Sequence, residues 1–330
     1  MQFIGPGGLR LILALVVVLS HLSSFNVGRL AVVVFFILSG YWVSRSWLAG
    51  REGALAFAAT RTLRIWPMFA IVCLAAWAGQ LVLGSAHGPA DLGGGLLLLG
   101  SASRGDMPIG VAWSLDLELQ FYLCLPLLWL AAQRLPDWQL WLLGGLAWGL
   151  GIWLMDCGAW SFLFFLPAFA AGMWLAHTRW VPAAGPMLAA AGAFAASAIG
   201  LALWPEMRPL FIKSDGPPLV PEQLGHLALS LLLLPLVACV LARPSSPADR
   251  RLGDVSYALY LVHSPVITLL SHGLALGGLA FKLAALPAIG LVTLILYLWV
   301  DLPLETLRRR GLPGGAPSFA PLNSGRKHPN

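Results

Sequence analysis

Apolar residues run along this chain in blocks of about twenty, separated by short clusters of Gly, Pro and charge, with no sustained two-residue alternation. A bilayer core needs roughly 20 consecutive apolar residues per helix. Ten segments meet that pattern: 9–26, 30–48, 65–83, 114–132, 138–155, 159–176, 186–204, 224–242, 255–272 and 280–301. The predicted fold is therefore all-α, a polytopic transmembrane helical bundle of about ten spans. The apolar stretch Leu96–Leu99, which follows Gly93, Gly94 and Gly95, is too short to cross and is expected as an interfacial or re-entrant piece between spans 3 and 4.

Composition excludes a soluble globular protein, since 58% of the residues are hydrophobic, 10% are charged and the mean hydropathy is +0.80. The net charge of +6 reflects loop arginines rather than a nucleic-acid surface. With the N-terminus placed in the cytoplasm, ten spans put fifteen of the 20 basic residues on the cytoplasmic side, and only Arg29, Arg104, Arg208, Lys213 and Lys282 on the other. Both ends are thus expected inside. Trp47, Trp66, Trp113, Trp138, Trp160, Trp180 and Trp204 fall at span ends, where amphipathic rings settle at headgroup level. Cys73, Cys124, Cys157 and Cys239 lack CxxC spacing and read as small buried apolar residues, with no disulfide framework and no metal site. Arg10 and the apolar run after it resemble a signal peptide, but His21 interrupts the exit and further spans follow, so this is expected to be a retained first span. The membrane domain is expected to occupy 1–310, and the Gly- and Pro-rich 311–330 to form a disordered cytoplasmic tail.

Titratable groups within hydrocarbon are costly and usually face a functional cavity. The deep candidates are His21, Glu118 with Asp116, and His263, with Ser39 as a small polar neighbour. At about 1.5 Å per residue, His21 lies about 16 Å from the inner face, Ser39 about 13 to 16 Å, His263 about 12 Å and Glu118 about 22 Å, all within one central slab. A His21–Glu118 pair follows, in which the carboxylate would hold one tautomer and leave a lone pair for a substrate proton; a plain interhelical hydrogen bond is the alternative. His263 has local candidates for a structural bond in Ser256, Tyr257 and Tyr260, so structural and catalytic roles both stand. Asp116 points away from Glu118 and is expected to be solvated at a cavity mouth. His87, His177, His226, His272 and His328 fall in loops, span ends or the tail, where no chemistry is expected. Arg10, Arg45, Arg61 and Arg64 form a basic cluster on the cytoplasmic side, suited either to cofactor phosphates or to topology signalling at anionic lipid.

Five segments in order resemble the acyltransferase-3 family of integral membrane acyltransferases over roughly Gly8 to Pro303. They are Arg10 followed by ten residues and His21, FFILSGY (Phe35–Tyr41), RTLRIWP (Arg61–Pro67), WSLDLELQFY (Trp113–Tyr122) and SYALYLVHSP (Ser256–Pro265). The resemblance implies transfer of an acyl group, commonly acetyl, from cytoplasmic acyl-CoA to a hydroxyl of a sugar, exopolysaccharide or lipid-linked glycan. It implies catalytic roles for His21 and Glu118, with Ser39 or Tyr122 as oxyanion donors, and CoA-phosphate contacts from Arg10, Arg61, Arg64 and Arg45. Trp113, Asp116 and His263 would line the acceptor's entry. His21 would act as general base or as acyl-carrying nucleophile. A bacterial inner membrane is implied in turn. Some relatives append an SGNH-type esterase-like domain after the spans, whereas here about twenty residues follow the last basic cluster. Activity would then rest on the membrane domain alone or on a separate partner. A proton-coupled glycan or lipid transporter is the competing expectation, with the buried His and Glu as its proton pair.

Overall fold

The computed structural model describes residues 4–50, 52–84, 89–104, 107–213 and 220–311. The expected tail lies outside the described residues beyond Gly311. The described chain is helical, and its one β-type pairing is an isolated bridge between Phe25 and Ile212. In order the helices are α1 (Pro6–His21), α2 (Gly28–Ala49), α3 (Ala54–Val82), α4 (Pro89–Leu96), α5 (Ser101–Arg104), α6 (Ala112–Arg134), α7 (Asp137–Asp156), α8 (Leu166–Thr178), α9 (Ala184–Leu203), α10 (Val220–Leu232), α11 (Leu234–Leu241), α12 (Pro247–Gly273), α13 (Gly278–Leu296) and α14 (Leu302–Gly311).

Each of the ten predicted segments falls largely on helix, though not every helix is a full span. Among the described residues six are long and apolar enough to cross a bilayer: α2, α3, α6, α7, α9 and the run from α13 into α14. The pair α10 and α11, bent by 48° at Leu233, makes a seventh when taken as one broken span. Helix α1 and the run from the 3₁₀ turn at Phe162–Phe165 through α8 are apolar but shorter. The described part of the glycine-rich stretch between α3 and α6 forms the two short helices α4 and α5, neither long enough to cross a bilayer.

Two boundaries differ from the pattern for identifiable reasons. Helix α3 starts at Ala54, well before the apolar run, so Arg61 and Arg64 stand within a helix. Helix α1 ends at His21, because Ser20 Oγ donates to the Phe25 carbonyl (2.7 Å) and the Leu22–Val27 segment becomes a turn. The strand-like segment Phe211–Lys213 is fastened over that turn: Asn26 N donates to Phe211 O (2.8 Å) and Lys213 N to Ser24 O (2.8 Å).

Helix α2 is the central element, packed against α1, α6, α8 and α10. Its closest crossing is with α8, where a Cβ on Gly40 would stand 2.3 Å from the Phe169 carbonyl oxygen and one on Gly172 2.1 Å from that of Ile37. Small residues at such a crossing let two backbones touch, as is common between helices in lipid. The aromatic core beside it stacks Phe36 and Phe121 on Phe169, with centroids at 4.8 and 4.2 Å. Helix α9, in contrast, buries none of its residues and presents its alanine-rich surface outward. The four cysteines are free; Cys73 is buried as expected, while Cys157, which caps α7, is exposed.

Candidate active site

The first turn of α1 lies against α12 through glycines. Gly7 N and Gly8 N donate to the Asp249 carboxylate at 3.0 and 2.8 Å, an acceptor placed where a helix N-terminus has unsatisfied donors. A Cβ on Gly7 would overlap the Asp249 carbonyl oxygen, at 1.7 Å, so this approach requires glycine. Arg10 enters the bundle one turn further on, within electrostatic reach of Arg64, Asp254, Glu118 and Tyr122. From α3, Arg61 donates to Ser46 Oγ, lies 5.4 Å from the Phe57 ring centre and faces Arg64 and Tyr122. Three of the four predicted arginines therefore converge around Glu118 and Tyr122.

Arg45 is the exception. Its Nη1 donates to Tyr41 Oη at 2.9 Å, and its guanidinium packs on that ring. It lines a separate cavity of about 240 Å³ with Arg179 and Trp180. The partner that makes a half-buried Arg45 tolerable is thus a tyrosine one helical turn away.

Helix α6 carries its polar residues on two faces, each with four-residue spacing. Ser114, Glu118 and Tyr122 form the inward face. Glu118 interacts with the hydroxyls of Ser39 and Tyr122 and with Arg10 and Arg64. Ser39 Oγ and Tyr122 Oη are hydrogen-bonded to each other at 3.0 Å. Ser114 Oγ bonds Tyr260 Oη at 2.6 Å, and Tyr260 lies within electrostatic reach of Glu118. Asp116 and Gln120 form the other face. Asp116, expected to be solvated, is fully buried: its carboxylate accepts from Gly100 N (3.0 Å), Ala102 N (2.9 Å) and Gln120 Nε2 (3.0 Å). It holds the α4–α5 connection and does not line the cavity.

A cavity of about 330 Å³ opens beyond the C-terminal end of α1, lined in part by His21, Trp113, Tyr260, Arg29, Lys213 and Glu222. His21 is exposed to it. Glu118 is engaged by Ser39, Tyr122, Arg10 and Arg64 and not by the expected His21, because the polar face of α6 turns toward the arginines. His21 instead meets His263 edge to face, with centroids 5.0 Å apart. His263 Nδ1 donates to the Leu259 carbonyl (3.2 Å), while Nε2 is buried without a partner among the described residues. Ser256 donates to Gly253 O, Tyr257 to Ile65 O, and the Tyr260 hydroxyl pairs with Ser114, while His263 is held by the backbone of Leu259 and Tyr260.

Several cavity residues carry no distinguishing signal in the sequence. Arg29 lies 5.7 Å from the ring centres of both Trp113 and Trp160, which makes these two tryptophans part of the site as well as of a span-end belt. Lys213 Nζ donates to the carbonyls of Ser20 and Ser23, and burial lowers its pKa from the usual lysine value. Glu222 accepts from Asn26 Nδ2 at 2.6 Å. His226, expected to be idle, is buried with Nε2 against the carbonyls of Asn26 and Leu210 (3.0 and 2.9 Å), and so anchors the turn above the cavity. Arg29 and Lys213 each stand as one basic residue beside an apolar run, which topology alone explains.

The arrangement has an accessible imidazole in a cavity at one end, an arginine cluster at the other, and hydroxyl and carboxyl groups between them. No group of three or more His, Cys, Asp or Glu side chains suited to a metal ion occurs among the described residues. Neither the curated proteins nor the solved structures contain a match to the chain. A family profile described as an acyltransferase domain matches residues 3–302 of the 330. With that match spanning nearly all of its apolar helices, the chain belongs to the acyltransferase-3 family of membrane acyltransferases.

Proposed function

We propose that this protein moves an acyl group, in the first instance acetyl, from acyl-CoA on the cytoplasmic side to a hydroxyl of a sugar, exopolysaccharide or lipid-linked glycan, within ten crossings of a bacterial inner membrane and with both ends inside. The observation that carries this reading is the polar line through the bundle. Arg10, Arg61 and Arg64 converge at one end, Glu118 and Tyr122 stand beside them, and Tyr260 leads to the His21 cavity. Guanidinium forks suit the phosphates of CoA, and the thioester would extend along the inward face of α6.

In the direct route, His21 takes the proton of the acceptor hydroxyl as its oxygen attacks the thioester carbonyl. The tetrahedral oxyanion collapses, the carbon–sulfur bond breaks, and the CoA thiolate leaves and takes up a proton. Tyr122 or Ser39 would donate to the oxyanion. In the alternative route His21 attacks first and carries the acyl group. His263, packed edge to face on His21, would orient that ring in either case. Transport draws no specific support from the described residues.

The test is thiol release and label transfer from radiolabelled acetyl-CoA by the full chain in lipid vesicles with a mixed glycan acceptor pool. His21→Ala is expected to abolish transfer while membrane insertion and the thermal midpoint are retained. Full activity of that variant would remove His21 from the chemistry. Binding of acetyl-CoA with no CoA released from the wild type would move the assignment to another acyl chain or acceptor.

A further inference from the structure

Two cations in the His21 cavity have no task in the acyl-transfer steps above. An ammonium has three donors, and Lys213 uses two of them on the Ser20 and Ser23 carbonyls, which leaves one for whatever enters the cavity it lines. Arg29 lies beside two indole rings that pack edge to face on each other, and its Nη1 is buried without a hydrogen-bond partner among the described residues. An orphaned buried donor on a charged group calls for a partner, and at a cavity wall a ligand can supply one. Glu222 is the one carboxylate that lines the cavity among the described residues. It lies within electrostatic reach of Arg29, and its carboxylate is also engaged by Asn26, so two cations face one anion. Both cations lie within electrostatic reach of His21.

We propose that this cavity binds a sugar residue bearing an oxyanion, a carboxylate or a phosphate, held between Lys213 and Arg29 so that a neighbouring hydroxyl lies at His21. A volume of about 330 Å³ sits at the lower end of the roughly 300 to 1,000 Å³ of small-molecule sites, which suits one sugar and not an oligosaccharide. Trp113 and Tyr260 add apolar wall for the ring faces of that sugar. The inference rests on reading this cavity as the acceptor side of an acyltransferase. An acidic acceptor would be selected there by charge in a low-dielectric site, where an excess cation has few competing partners.

The test is binding without donor. The full chain in nanodiscs of zwitterionic lipid is titrated with methyl β-glucuronide, glucose 1-phosphate and methyl β-glucoside, read by tryptophan fluorescence and calorimetry. One of the two anionic sugars is expected to bind at least about tenfold more tightly than the neutral one, as a charge-assisted hydrogen bond provides, and which one does so separates carboxylate from phosphate. Lys213→Met is expected to erase that ratio and Lys213→Arg to keep it. A lysine that only fastens the turn would change all three affinities by the same factor. Equal binding of the three sugars, or no binding of any, overturns the anion site. Acetyl transfer to the same sugars is then measured separately. Transfer without anion preference leaves the acyltransferase reading and sinks this one, whereas anion-selective binding with no acetyl transfer keeps the anion site and overturns acetyl as the transferred group.

Discussion

Arg45 and Arg61 are both helical arginines beside an apolar run, and their neighbours decide what each can do. Arg61 lies within electrostatic reach of Arg64, Tyr122 and Glu52, whereas Arg45 is satisfied by Tyr41 beside a different cavity. Replacing Arg61 and Arg64 together by Gln is therefore expected to raise the KM for acetyl-CoA by about ten- to a hundredfold, the worth of one or two charge-assisted phosphate contacts, with less effect on the acceptor KM. Arg45→Gln is expected to change the donor KM by less than about threefold. Steady-state kinetics with each substrate varied in turn checks both, and an unchanged donor KM in the double variant would count against the clamp. Asp116 and Glu118 make the same point two residues apart on one helix. One accepts from the backbone N–H groups of Gly100 and Ala102, and the other faces the arginines.

At the scale of elements, the crossing of α2 and α8 sets where Ser39 stands, because Gly40 is its neighbour and touches the Phe169 carbonyl. Any side chain at Gly172 would have to displace the Ile37 carbonyl or the Tyr41 amide. Gly172→Leu is expected to cost at least about 1 to 3 kcal/mol in stability through overpacking, and to reduce transfer by moving Ser39 away from Tyr122. Thermal unfolding in detergent, with acyl transfer measured at a temperature where the variant is folded, checks both effects. A wild-type melting profile would mean that the helices can separate without consequence. The four-residue spacing of Ser114, Glu118 and Tyr122 marks one helical face in the residue pattern alone. That this face meets Tyr260 and Arg10 depends on the placement of α12 and α1.

For the whole molecule, the proposed orientation puts Glu52 inside and Ser24 outside, one helix apart. In a background with the four cysteines replaced, Ser24→Cys is expected to react with a membrane-impermeant maleimide in right-side-out vesicles, and Glu52→Cys only after permeabilisation. The reverse pattern would invert the sides assigned to donor and acceptor. Apolar block length, charge content and arginine spacing determined on their own that this is a helical membrane chain, because hydrocarbon demands self-satisfied backbone over a set length whatever the partners. Ordered motifs likewise brought His21, Glu118 and the arginines forward as candidates. Depth counted along straight helices put His21 and Glu118 in one slab, but depth carries no azimuth. The early end of α1 at Ser20–Phe25 and the Phe211–Lys213 segment lying over it brought Lys213 and Arg29 to His21 instead. Those contacts join residues up to about two hundred positions apart, and only tertiary packing decides such pairings.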